Sequence, residues 1–202
     1  LMSHLASADE GKNNYNIVQN KKFKESINFK INAKFNSLSN SMGLILGKNY
    51  HYDLVRPGIS LYGGHFNTKM RKIIKPVISL KGKVLQIKEI SKNEFIGYNQ
   101  TFRTNKKIKV AILGIGYADG ISRILSNKGN VYFKNQTFKI VGRVSKDTII
   151  IDITKNSKPI KIGIYMELIN NKNGIDKIAK QSNTICDEIL TSISERVKRV
   201  YT

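Results

Sequence analysis

The pattern of apolar and polar positions divides the chain into two stretches of different character. Up to residue 75 the apolar residues come in short groups between Asn/Lys-rich segments. Residues 1–6 (LMSHLA) read as the end of a strand, and residues 9–22 as loop. Phe23, Ile27 and Ile31 recur at helical spacing, which predicts a short helix over 23–31. The run SLSNS at 37–41 leads into the apolar MGLIL at 42–46. Ser and Asn oxygens satisfy the free N–H groups of a helix start, so a helix is predicted there. DLVRPGISLYG at 53–63 reads as an Arg-Pro-Gly turn entering a short strand. Strand ends, helices and loops alternate, as in part of an α/β unit.

Beyond Pro76 a period of two takes over. Ile78, Leu80, Gly82 and Val84 alternate with polar residues, and Leu85, Ile87 and Ile90 continue in shifted phase. A phase slip inside one strand predicts a bulge. Residues 109–115 (KVAILGI) form an apolar run that predicts a buried strand. Residues 131–133 and 138–141 flank KNQT and predict a hairpin. Further strands are predicted at 148–153 and 165–169, a helix at 174–180, and a returning strand in the tail, 193–201. The expected organisation is an α/β segment over 1–66, a basic spacer over 67–75, and a mostly β, barrel-like domain over 76–202.

Composition narrows the function classes. The chain has 202 residues, 40% of them hydrophobic, enough for a packed core. There is no apolar run long enough to span a bilayer, and LMSHLASADE does not read as a signal peptide. A single cysteine, Cys186, excludes an internal disulfide and fits a reducing, cytoplasmic compartment. The formal charge of +21 raises nucleic-acid binding. The basic residues are mostly Lys spread along the whole chain, without an RNP, zinc-finger or helix-turn-helix pattern, so a dedicated nucleic-acid role is not expected. His4, His51 and His65 lack metal-ligand spacing, and no metal is expected.

The richest candidate chemistry lies at 95–123, FIGYNQTFRTNKKIKVAILGIGYADGISR. Two tyrosines, Tyr98 and Tyr117, each follow a glycine. Gly114, Gly116 and Gly120 bracket Tyr117 and Asp119, which indicates a shaped loop presenting two polar side chains.

Set in order, SHLASADE (3–10), SNS (39–41), DLVRPGISLYG (53–63), GYNQTF (97–102), GYADG (116–120), SNKG (126–129), GRVSKD (142–147) and LTSISERVKRVY (190–201) resemble the alanine racemase family. Those enzymes use pyridoxal 5'-phosphate to interconvert L- and D-alanine, supplying D-alanine for peptidoglycan precursors. The resemblance implies a fold: the last part of a (β/α)8 barrel over 1–66, followed by the family's β-rich domain. It also implies a homodimer. The expectation is a chain without the family's first barrel half, which carries the Schiff-base lysine and a substrate-gripping arginine. A complementing N-terminal half would then supply them; a non-catalytic relic or interaction module of racemase ancestry is the alternative.

The resemblance also assigns residues. Tyr98 matches the catalytic tyrosine, which reaches into the partner subunit's site. A free tyrosine has a pKa of about 10, so it needs a tuned setting to work near neutrality. His4 matches a histidine bridging that tyrosine to an arginine, and Arg56 matches that arginine, which bonds the pyridine nitrogen. Asn40 and Ser41 match residues beside the cofactor, with the Ser41 hydroxyl on its phosphate. Gly58 and Ile59 match a loop offering backbone N–H groups to the same phosphate. Tyr117, Asp119, Arg143 and Asp147 match the substrate entrance. Two positions depart from the family: Lys146 stands where methionine is usual, and Asp187 where a tyrosine bonds the phosphate.

Overall fold

The computed structural model describes residues 1–29, 33–65 and 68–201, and within them two compact units, Leu1–Val77 and Ile78–Thr202.

In the first unit three extended segments lie side by side. Met2 forms a parallel bridge with Ser37, with Ser3 N–H on Ser37 O at 3.0 Å and Ser37 N–H on Leu1 O at 2.9 Å. The third segment joins through Arg56 N–H on Ser39 O at 2.9 Å. Helix α1 (Tyr15–Asn28) connects the first segment to the second, and the short helix α2 (Gly43–Leu46) follows the second. Parallel segments joined by helical crossovers are the repeat of a β/α barrel. The core beneath is built on Leu5, Phe23, Leu38, Met42 and Met70, with Tyr52 edge-on to Phe23 at 4.8 Å.

Three expectations need correction here. The helix starts at Tyr15, inside the stretch read as loop, and its predicted end at Ile31 lies outside the described residues. Only Asn16 and Phe23 in it are buried, so a face this polar leaves little apolar period to detect. Its start is fixed by polar bonds instead: Tyr15 N–H on Asn13 Oδ1 at 2.9 Å, and Asn16 Nδ2 on Ser7 O at 3.0 Å. The strand expected after Pro57-Gly58 is a 3-10 helix, Ile59–Tyr62. The spacer at 67–75 carries a helical turn, α3 (Thr68–Arg71), whose Met70 is buried in this unit's core.

The second unit is a ring of six antiparallel strands: β1 (Leu80–Ile90), β4 (Ile108–Gly114), β5 (Asn130–Phe133), β6 (Gln136–Lys139), β7 (Ile149–Asp152) and β8 (Tyr165–Ile169). Their order is β6-β5-β8-β1-β4-β7. The bridge of Ile140 with Ile151, and Val141 N–H on Ile150 O at 2.9 Å, join the two ends of that order. Val84, Leu113, Val131, Ile140, Ile149, Ile151 and Met166 fill the interior, each at most 1% exposed. In β1 the register slips between Val84 and Gln86, which leaves Leu85 as the extra residue of a bulge. A two-strand ribbon, β2 (Phe95–Ile96) and β3 (Phe102–Arg103), projects with Tyr98 at its turn. Helices α4 (Ile175–Gln181) and α5 (Cys186–Thr191) follow β8. The strand expected over 193–201 does not form; this tail is irregular, and ionic contacts described below hold it.

Candidate active site

In the first unit the candidate residues sit where the extended segments end, the edge at which β/α barrels build sites. Asn40 is the hub. Its Oδ1 accepts the Gly43 N–H at 2.9 Å, so its amide NH2 faces the His4 ring, 3.0 Å from Nε2. That orientation makes Nε2 the acceptor and puts the ring proton on Nδ1. Arg56 donates through Nη1 to Ser37 Oγ and through Nη2 to Ser3 O at 2.6 Å. The bridge from His4 to Arg56 that the resemblance implied is therefore not among the described hydrogen bonds. Asn40 occupies the His4 nitrogen, and the guanidinium fork is taken by the carbonyl next to His4 and by Ser37.

Ser41 is 5% exposed and stands at the centre of a donor cluster. Its Oγ receives the Gly58 N–H at 2.8 Å, the Ser60 N–H at 3.4 Å and the Ser60 hydroxyl at 3.2 Å. Several neutral donors converging on one oxygen form the kind of concavity that suits a phosphate oxygen. Ile59, between those donors, is buried and contributes its side chain to packing.

In the second unit Tyr98 begins a 3-10 turn, Tyr98–Gln100, and is 69% exposed. The turn is seated on the backbone of Gly142 and Arg143. Gly97 (φ +80°) lies so close that a Cβ would come within 2.8 Å of Arg143 N, and one at Gly142 (φ +78°) within 2.8 Å of Ile96 O. Two glycines thus bring the backbone that leads into Tyr98 against the backbone of Gly142 and Arg143.

The GYADG turn is seated the same way on Ser145 and Lys146. Tyr117 N–H donates to Ser145 O at 2.9 Å and Ala118 N–H to Lys146 O at 3.0 Å. Tyr117 and Lys146 side chains are exposed, so Lys146 takes part in this contact through its backbone and keeps its ammonium in solvent. Asp119 points inward, 7% exposed, and accepts the Gly116 N–H at 2.7 Å. Its Oδ1 also takes Arg196 Nε at 2.7 Å, while Arg196 Nη2 reaches Asp147 Oδ1 at 2.6 Å. The bonds from Asp119 and Asp147 hold the Arg196 guanidinium even further toward its charged form.

Arg196 was not singled out by residue-level reasoning. Its partners lie 77 and 49 residues away in sequence, and the available signal was its place in the tail motif SERVKR. Asp187 sits exposed in the first turn of α5, where a carboxylate meets the positive end of the helix. Beside it Cys186 is buried and hydrogen-bonded to Asp176 Oδ1 at 3.4 Å. Burial first, and the Asp176 charge second, push its thiol up to about 12. Among the described residues no group of three or more His, Cys, Asp or Glu side chains could hold a metal ion.

Parallel segments ending in a serine-glycine donor cluster, followed along the chain by a six-stranded β barrel, define a barrel-type α/β enzyme segment with an appended β domain. The comparisons give that class its family. Residues 77–201 match the family model "Alanine racemase, C-terminal domain" and residues 1–65 match "Alanine racemase, N-terminal domain". The alanine racemase of Rickettsia bellii is 40% identical over 204 residues, covering 100% of this chain and 50% of that protein. That of Brucella abortus is 37% identical, covering 99% of this chain and 54% of that protein. The alanine racemase of Bartonella henselae, solved with covalently bound pyridoxal phosphate, superposes with a TM-score of 0.93 at 39% identity, covering 100% of this chain and 56% of that one. The biosynthetic alanine racemase of Pseudomonas aeruginosa gives 0.90 at 27% identity, covering 100% and 56%. The chain belongs to the alanine racemase family, and it spans about half the length of the curated relatives it matches.

Proposed function

We propose that the chain forms the Tyr98-bearing part of a pyridoxal-phosphate-dependent alanine racemase, interconverting L- and D-alanine for peptidoglycan precursors. One observation carries the reading: three donors converge on Ser41 Oγ, where the family resemblance sets the cofactor phosphate. The donor set of Ser41, Gly58 and Ser60 fits a phosphate dianion, which accepts from neutral N–H and O–H groups. Arg56, fixed by Ser37 and Ser3, keeps further N–H groups for the ring nitrogen, and Asn40 stands beside it. When bound, pyridoxal phosphate supplies an electron-withdrawing ring that acidifies the α-hydrogen of the amino acid.

The chain's own residues then divide the work. Tyr98 holds or accepts a proton at Oη on one face of the substrate. Its exposure in its own unit fits a group presented to a second subunit, so a homodimer, or a complex with a complementing N-terminal barrel half, is part of this proposal. Tyr117, Arg143 and Asp147 line the approach for alanine, and Asp119 fixes the turn that carries Tyr117. The single cysteine suits a reducing, cytoplasmic setting.

The test is a racemisation assay on L-alanine with added pyridoxal phosphate, using the chain alone and mixed with an N-terminal racemase half. D-alanine formed in the mixture and lost in Tyr98→Phe supports the reading. Pyridoxal phosphate binding without D-alanine in either sample would leave a cofactor-binding relic and overturn it.

A further inference from the structure

The motif SNKG at 126–129 places the Asn127 side chain between Thr101 and Gly142. We infer that Asn127 is a positioning residue for Tyr98; this rests on the reading of Tyr98 as the proton-transfer group.

One side chain spans two backbone segments. Asn127 Oδ1 accepts the Gly142 N–H at 2.6 Å, and Asn127 N–H donates to Gly142 O at 3.3 Å. On the other side Nδ2 donates to the carbonyl and the hydroxyl of Thr101, each at 3.3 Å. Thr101 closes the turn that Tyr98 begins, and Gly142 belongs to the floor on which that turn is seated. Gly97 fixes the entry of the turn by close approach to Arg143, and Asn127 fixes its exit.

The turn needs such a restraint. Asn99 (φ 56°) and Gln100 (φ 53°) are consecutive non-glycine residues in the left-handed region, a conformation that persists when surrounding contacts impose it. The Tyr98 side chain is mostly exposed, so its aim is set by its backbone more than by packing of its ring. Asn127 itself lies at φ 58°, which asparagine tolerates. Its own backbone is anchored by Ser126, which donates to Arg123 O at 2.5 Å and accepts the Val144 N–H at 3.0 Å. Proton transfer loses efficiency when the reacting oxygen is held loosely, which is the reason a supporting residue of this kind matters.

The experiment places 3-fluorotyrosine at position 98 alone, and separately at 117, in the full chain and records ¹⁹F spectra. Asn127→Gly keeps the left-handed backbone and deletes both side-chain contacts. It should broaden or split the Tyr98 line, speed exchange of the Gly142 amide about fivefold, and leave the Tyr117 line unchanged. Asn127→Asp keeps the acceptor for Gly142 and loses the donors to Thr101. It should shift the Tyr98 line with Gly142 exchange near wild type, and it decides the matter if Asn127→Gly fails to fold. An unchanged Tyr98 line, or equal broadening at 98 and 117, overturns the inference. Neither readout needs racemase activity: the clamp can fail in an active racemase, and can hold in a chain that makes no D-alanine.

Discussion

Arg196 and Asp119 meet at 2.7 Å across 77 residues of sequence, and the carboxylate is the buried member of the pair. Its side chain is 10% exposed, against 58% for Asp147, the other acid on the same guanidinium. Asp119 also satisfies the Gly116 N–H, so it holds together the GYADG turn and the tail.

Asp119→Ala should therefore cost about 1–3 kcal/mol, the range for leaving a buried backbone donor without its acceptor. Asp147→Ala should cost much less, because its ion pair is exposed and screened. Urea titration of the two variants gives the comparison; equal midpoints would reject the division of labour.

Gly97→Ala should destabilise by about 1–3 kcal/mol, because φ +80° with ψ 174° is a region open in practice to glycine alone. The added methyl also meets Arg143 N at 2.8 Å, which a rotamer change cannot relieve. Denaturant unfolding reads the loss, and a stability equal to wild type would mean that the turn is not seated on Gly142 and Arg143 in solution.

Ser41→Ala should lower pyridoxal phosphate affinity roughly tenfold, the loss of one good hydrogen bond to a charged acceptor. Titration followed by the cofactor's absorbance or fluorescence measures it. Unchanged affinity would detach the Ser41–Gly58–Ser60 cluster from the phosphate.

Cys186 sets a pH dependence whose sign is fixed by its raised pKa. From an ordinary value of 9.0 the folded thiol moves up to about 12, while the unfolded one ionises near its ordinary value. Between these limits the native state binds the extra proton. The stabilisation is complete below about pH 9 and is lost as pH rises toward 12. Unfolding free energies measured from pH 8 to 11 should fall more steeply for the wild-type chain than for Cys186→Ala; parallel curves would contradict the assignment.

The β strands were legible because a half-buried sheet writes its period of two into the sequence. Even the bulge at Leu85 showed as a phase slip, since one extra residue flips every later side chain. Helix α1 was read short because Asn16 and Phe23 alone anchor it, and its start is set by Asn13 and Asn16 bonds with no apolar signature. The tail was expected as a strand because apolar and polar residues alternate in parts of 193–201; Arg196 instead turns to two acids far back along the chain. For the site, residue types and family spacing named Tyr98, Arg56 and Ser41, but contacts decided which groups meet. His4 bonds Asn40, and Asp119 faces the interior, because hydrogen-bond partners depend on three-dimensional neighbours that no local pattern encodes.

The bridge of Ile140 with Ile151 has a consequence for how this protein behaves at high concentration. It joins β6 to β7, the two terminal strands of the six-stranded order, so neither is left as a fully open edge on which an incoming strand could template, while among the described residues 86–90 of β1 pair with β4 alone. Association of the second unit is thereby turned away from the ends of that order and toward side chains and projecting turns, which can be selective about what they meet.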